Sequence, residues 1–165
     1  MIEIQELPIK RGNVPLRVAR GHFATNHSHI NYYIDISAHK TRLAEAIDVA
    51  RELAPKYRED LVDTILCLDG TAVIGTCLAK ELVSTRRGVN EGRDICVLEP
   101  EYNANSQIIF RDNAQPLIRD KHVLILMASV TTGFTANRSV RPSAITAAPW
   151  SVFAASTPPW RRPPA

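Results

Sequence analysis

The sequence has few cysteines, no apolar run long enough to cross a bilayer, and no acidic residue after position 140. Its three cysteines are widely spaced and form no CxxC pair. We therefore expect reduced, buried thiols rather than a disulfide framework or a zinc site. The longest apolar run, residues 123–128, is far shorter than the roughly 20 residues of a transmembrane helix. The first residues contain no apolar h-region, which predicts a cytoplasmic protein without a signal peptide.

The lack of acids in the tail explains the basic character of the chain. The formal net charge is +3 and the pI is near 8.9, but all 17 acidic residues lie within residues 1–140. Three of the 20 Lys and Arg residues lie in the tail, so residues 1–140 are formally neutral. This balance argues against a basic surface for nucleic acid on the folded part.

What the sequence does contain is an alternation of apolar and amphipathic segments. The length of 165 residues fits one domain. Residues 2–7 fit either a short strand or a first helical turn. Strands are predicted at 30–36, 62–68, 94–99 and 122–128, and a hairpin arm is predicted around 107–111. Helices are predicted at 40–57 and 76–83, and a glycine-bearing turn is predicted at 69–75. This order predicts an α/β fold with an open, mostly parallel sheet and helices on both faces.

Residues 141–165 break this pattern. They hold six of the 11 prolines and both tryptophans. Pro142 lies where a helix begun at Ala136 would continue, and an interior proline costs a helix about 3 kcal/mol. We therefore expect a folded domain over 1–140, incomplete at the C-terminal edge of its sheet, and a Pro-rich tail over 141–165. The tail is either disordered or, as a hypothesis, read out of frame, which comparison with the genes of close relatives would test.

The turn after the strongest predicted strand has the chemistry of an anion site. Residues 131–135 read TTGFT and precede the helix start at Ala136. The hydroxyls of Thr131, Thr132 and Thr135 and the backbone N–H groups near Gly133 and Phe134 favour a phosphate at a helix N-terminus. On local chemistry alone, an ordinary turn between a strand and a helix is the commoner explanation.

Three segments together resemble type I phosphoribosyltransferases of the orotate kind. Residues 123–139 resemble the phosphoribosyl-pyrophosphate motif, with TTGFT as the 5′-phosphate loop. Residues 62–82 resemble the pyrophosphate loop, in which Asp69, Gly70 and Thr71 occupy the turn and Gly75 opens the helix. Residues 21–35, GHFATNHSHINYYID, resemble part of the hood over the base, which implies a hood segment over residues 1–36 and a base near Phe23 or Tyr33.

The sequence departs from the family at two places. Two acids that the family uses to contact the ribose fall on Met127 and Ala128, and neither side chain accepts a hydrogen bond from a hydroxyl. The family's mobile loop carries lysines, but this chain has none between Lys80 and Lys121. Arg111, on the predicted arm, is the candidate cation for catalysis, with a solvated charge as the default interpretation.

The histidines invite a metal interpretation that the spacing does not favour. His22, His27, His29 and His39 include an HxxxxHxH pattern without an acidic or cysteine partner at fixed spacing. Solvent-facing or hood histidines are the expected outcome, and no protein metal site is predicted.

The resemblance implies an enzyme that transfers phosphoribosyl from phosphoribosyl pyrophosphate to an orotate-like nucleobase and releases pyrophosphate, with Mg²⁺, as a homodimer. The loss of the acids leaves a second reading open, a non-catalytic nucleotide-binding regulatory protein. A third is a damaged gene product without a function.

Overall fold

A computed structural model describes residues 3–7, 14–24, 29–102, 104 and 108–128 of the chain. Their strands are β1 (Ile4–Leu7), β2 (Leu16–Ala24), β3 (His29–Asp35), β4 (Thr64–Cys67), β5 (Cys96–Leu98), β6 (Glu101–Tyr102), β7 (Ile108–Ile109) and β8 (Val123–Leu126). Their α-helices are α1 (Ser37–Thr41), α2 (Leu43–Leu53) and α3 (Ala72–Ser84), and two 3₁₀ helices span Ala54–Tyr57 and Gln115–Leu117. The TTGFT turn, the helix start at Ala136 and the 141–165 tail lie outside the described residues.

The core is a parallel sheet in the order β5-β4-β8. All residues of β4 and β8 are buried, as expected for strands covered on both faces. Ile65 and Cys67 point toward α2 and α3, whereas Leu66 and Leu68 pack with Ile118 on the opposite face. The predicted α/β architecture with an open parallel sheet is thereby confirmed.

The first predicted helix is interrupted. Arg42 has an extended backbone conformation, with φ −97° and ψ 120°, which separates α1 from α2. Leu43, at the start of α2, is 64% exposed. The buried face of α2 consists of Ala46, Val49, Ala50 and Leu53.

The second predicted helix begins earlier than its sequence indicated. Helix α3 starts at Ala72, so Gly75 does not open the helix but lies inside it. A Cβ on Gly75 would lie 2.3 Å from the Sγ atom of Cys67. Glycine is therefore needed here because the helix approaches β4 closely.

The cysteines are free, as expected. Cys67 and Cys77 are buried and Cys96 is half-buried. Burial raises the pKa of the Cys67 thiol to about 12, so this group is protonated at neutral pH. In the part of the chain that the structure describes, no helix has the length and apolarity to traverse a membrane.

A second, antiparallel sheet in the order β1-β2-β3 comes from the predicted hood segment. It is tied to α2 by Arg17, whose guanidinium donates to both carboxylate oxygens of Glu45 at 2.6 and 3.1 Å. The hydrogen bonds from Arg17 lower the pKa of Glu45. This bidentate pair fixes the hood against the first helical layer.

At the amino-terminal edge of the core sheet, Asp63 holds neighbouring segments together. Its carboxylate accepts hydrogen bonds from the backbone N–H and the Nδ1 atom of His122, both at 2.9 Å, and from Arg93 at 2.9 Å. These contacts, led by the backbone N–H of His122, lower the pKa of Asp63 to about 2. Asp63 therefore acts as an ionised clamp between the starts of β4 and β8.

Candidate functional site

The loop between β4 and α3 lies at the carboxyl-terminal edge of the core sheet. Asp69 and Gly70 both adopt left-handed backbone conformations, with φ of 56° and 73°. Glycine tolerates this region freely, and aspartate is among the few other residues that visit it. The two residues turn the chain from the strand into α3 within a very short segment, as the predicted glycine-bearing turn required.

Thr71 locks this loop to the neighbouring strand. Its side chain is fully buried, and its hydroxyl lies 2.8 Å from the carbonyl oxygen of Leu68 and 3.2 Å from that of Leu126. The hydroxyl donor is thus directed at carbonyls that end β4 and β8. Binding of pyrophosphate by Thr71 stays a prediction, because in this conformation its hydroxyl is paired and its backbone N–H donates to the carbonyl oxygen of Leu68 at 3.2 Å.

Helix α3 directs its positive end at the same edge. It has 13 residues and is capped at Thr71. The backbone N–H groups of Ala72, Val73 and Ile74 form its first turn, and first-turn N–H groups have no acceptor within a helix. Together with the helix dipole they favour an anion beside Asp69 and Gly70.

A lysine that the sequence analysis did not single out contacts this loop. The Nζ atom of Lys40, in α1, donates to the carbonyl oxygen of Asp69 at 2.9 Å. A general signal existed for it: a helix that leads into a strand of a parallel sheet begins near the edge where the strands end. Lys40 therefore places a positive charge beside the β4–α3 loop.

Tyr102, on the β6–β7 hairpin, belongs to the same neighbourhood. Burial and the charges of Asp69 and Glu99 raise the pKa of Tyr102. The hairpin confirms the predicted arm. Arg111 follows it, but its Nε atom lies 2.6 Å from the Oε1 atom of Glu101, so the candidate catalytic cation forms an exposed ion pair. Its catalytic role stays a prediction.

The two positions where the resemblance implies acids lie in the buried core. Met127 and Ala128 follow β8 and are only 1% and 5% exposed. Met127 packs in the cluster around Leu66, Leu68 and Ile125. Neither position offers an oxygen ligand, and within the described residues no group of three or more His, Cys, Asp or Glu side chains could hold a metal ion. These positions do not fit Mg²⁺.

The two predicted hood residues are brought together. The rings of Phe23 and Tyr33 have centroids 5.7 Å apart. Gly21 makes room for this arrangement, because a Cβ there would lie 3.0 Å from the Cζ atom of Phe23. The pair offers an aromatic surface for a planar base, and base binding stays a prediction.

The predicted histidines do not form one group in the described residues. His39 is buried on α1, with its Nε2 atom 3.9 Å from Glu45. His22 and His29 lie on the hood, whereas His27 and the phosphate-loop candidates 131–135 lie outside the described residues.

No protein-family model matches the sequence, and no curated protein matches it. The structure, in contrast, is similar to solved structures. It matches UMP synthase from Leishmania donovani with a TM-score of 0.55 and 19% identity, over 82% of this chain and 27% of that chain. The chain thus spans about a quarter of that protein.

Orotate phosphoribosyltransferase from Mycobacterium tuberculosis H37Rv matches in two complexes. The complex with Fe(III) dicitrate gives a TM-score of 0.52 at 14% identity, over 83% of this chain and 76% of that chain. The complex with inorganic phosphate gives 0.50 at 14% identity, over 81% and 72%. These matches show that the chain has an orotate phosphoribosyltransferase-like type I phosphoribosyltransferase fold.

Proposed function

We propose that this chain binds phosphoribosyl pyrophosphate and transfers its phosphoribosyl group to an orotate-like nucleobase, with release of pyrophosphate. The observation that carries the proposal is the β4–α3 loop, where Asp69 and Gly70 turn left-handed at the start of α3 and Lys40 adds a positive charge. The fold supports the substrate class, since one similar structure is that of an orotate phosphoribosyltransferase with inorganic phosphate.

In this mechanism the loop acts on the leaving group. The bond between the anomeric carbon and the pyrophosphate oxygen breaks, and its electron pair departs with pyrophosphate. A bond from the anomeric carbon to a ring nitrogen of the base replaces it, and the proton of that nitrogen passes to solvent. Backbone N–H groups of α3 and the Lys40 ammonium stabilise the negative charge that develops on the departing group. Phe23 and Tyr33 hold the base against the hood.

Magnesium does not enter this account. The two positions where the resemblance expects acids are occupied by buried Met127 and Ala128. A Mg²⁺ ion can still arrive with the substrate phosphates, because this ion is commonly held by few protein ligands and by phosphate oxygens. Binding is therefore to be measured with and without it.

A non-catalytic nucleotide-binding role is the second candidate, and the same two residues favour it. With no side chain at 127 or 128 to contact the ribose hydroxyls, the chain can hold the phosphates without positioning the anomeric carbon for attack. Such a protein would bind phosphoribosyl pyrophosphate but would release no pyrophosphate.

The test is calorimetric titration of the full chain with phosphoribosyl pyrophosphate and with pyrophosphate, beside a pyrophosphate-release assay with orotate. Lys40→Ala should weaken pyrophosphate binding by about tenfold or more, since a hydrogen bond to a charged group contributes about 1.5–3 kcal/mol. Lys56→Ala is the control, because Lys56 is an exposed lysine of the 3₁₀ helix that follows α2.

The outcomes separate the candidates. Binding with turnover supports the transferase, and binding without turnover on orotate or other bases supports the regulatory role. If neither ligand binds the wild-type chain, the proposed site is wrong. A homodimer remains a proposal from the resemblance, to be tested by sedimentation.

A further inference from the structure

The hood sheet carries a pair of histidines that the proposed function does not use. His22 lies on β2 and His29 on β3. The Nε2 atom of His22 lies 3.0 Å from the Nδ1 atom of His29. The rings are stacked, with centroids 4.9 Å apart and planes inclined by 24°.

A bulge in β2 brings the two rings together. The register passes from Arg20↔Tyr32 directly to Phe23↔Ile30, so two residues of β2 oppose a single residue of β3. His22 is one of these two residues and His29 pairs with Ala24, which makes them diagonal neighbours on adjacent strands. The sequence pattern did not reveal this pairing, because the bulge is a property of the register.

The contact has the geometry of two ligands of one metal ion. Imidazole nitrogens bind metals at about 2.0–2.1 Å, so two such nitrogens in cis positions are about 2.9–3.4 Å apart. The observed 3.0 Å lies in this range. Without a metal, only one proton fits between the two nitrogens, because one must accept what the other donates. A cation that replaces this proton uses both lone pairs.

The pair differs from another exposed histidine of the chain. The Nδ1 atom of His122 is held by the carboxylate of Asp63 at 2.9 Å. Among the described residues, the ring nitrogens of His22 and His29 contact each other and no carboxylate. Imidazole nitrogens with no carboxylate partner are available to a cation from solvent.

We propose that His22 and His29 form a two-imidazole site for a divalent transition-metal ion, with preference for Cu²⁺ over Ni²⁺ and Zn²⁺. This order follows the general affinity series for nitrogen ligands. No third His, Cys, Asp or Glu joins the pair among the described residues. The bound ion joins β2 to β3 across the bulge, next to Phe23. The site does not depend on the proposed function.

The experiment is a titration of the untagged full chain with Cu²⁺, followed by calorimetry and by electron paramagnetic resonance. The wild type should bind one ion at this site with two nitrogen ligands. His22→Ala and His29→Ala should each lower the affinity by about tenfold or more, and the double variant should lose little beyond either single variant. Binding should also weaken as the pH falls, because a protonated imidazole is not a ligand.

His122→Gln serves as the matched control and should bind Cu²⁺ like the wild type. Because these substitutions are exposed, circular dichroism should show all variants folded, and Cu²⁺ should raise the Tm of the wild type but not of the double variant. The proposal is overturned if either single variant keeps the wild-type affinity, if the two losses simply add, or if His122→Gln removes the site.

Discussion

The contact between Gly75 and Cys67 makes a sharp test of how α3 packs on β4. In Gly75→Ala the new Cβ would lie 2.3 Å from Sγ of Cys67, more than 1 Å inside the ordinary contact range that begins at 3.4 Å. The two other nearest atoms, on Ile65 and Val97, are each 3.5 Å away and need not move. The whole penalty therefore comes from one sulfur atom.

The expected magnitudes follow from this geometry. Overpacking a core typically costs about 1–3 kcal/mol, and replacing a helical glycine by alanine returns about 0.5–1 kcal/mol. Gly75→Ala should thus lower the free energy of unfolding by about 1–2 kcal/mol. In a Cys67→Ala background the sulfur is absent, so the same change should be neutral or stabilising by up to about 1 kcal/mol.

The assay is urea denaturation of the four members of the double-mutant cycle. A coupling free energy of about 2 kcal/mol is expected, well above the roughly 0.5 kcal/mol of independent sites. Gly92→Ala is the control, because Gly92 has a φ of 68° and open space around its Cβ position. It should cost stability without coupling to position 67. Additive free energies for Gly75→Ala and Cys67→Ala would refute the packing argument.

Two further predictions concern the opposite edges of the core sheet. The pKa of Asp63 is lowered from 3.8 to about 2, so its clamp should stabilise the fold above pH 4 and be lost as the pH falls toward 2. Asp63→Asn should lower the free energy of unfolding by about 1–2 kcal/mol at neutral pH and should reduce its dependence on pH below 4. An unchanged urea midpoint between pH 2 and 5 in the wild type would contradict this prediction. Thr71→Val should lower the free energy of unfolding by about 1–2 kcal/mol in the same assay, because the carbonyls of Leu68 and Leu126 lose their hydroxyl partner. Thr71→Ser should keep most of the stability. Equal losses in the two variants would contradict this prediction.

The core strands could be predicted because a strand that is buried on both faces consists mostly of apolar residues. Residues 62–68 and 122–128 are almost continuously apolar, and they contain β4 and β8. The hood was indicated by resemblance and not by periodicity, since β2 lacks a clear alternation of buried and exposed residues. Its bulge shifts the side chains out of the regular period of two.

The start of α3 was misplaced because two glycines look alike in a sequence. Gly70 provides the left-handed backbone conformation of the turn, whereas Gly75 has no side chain and so lets α3 approach β4 closely. Only the neighbour at Cys67 distinguishes the two roles. The contact of Lys40 with Asp69 was missed for a similar reason, because it joins residues 29 positions apart. Tertiary proximity of this kind leaves no local pattern, and only the topology of the fold indicates it.

The burial of Met127 and Ala128 also limits how this chain could change in future. A carboxylate introduced at either place would enter a dehydrated interior, where an unpaired charge is strongly disfavoured and the group tends to take up a proton instead. Acids at these two positions would therefore require the surrounding apolar layer to open first. Substitution of Met127 and Ala128 by acids would therefore not be enough to create a pair of ribose ligands here.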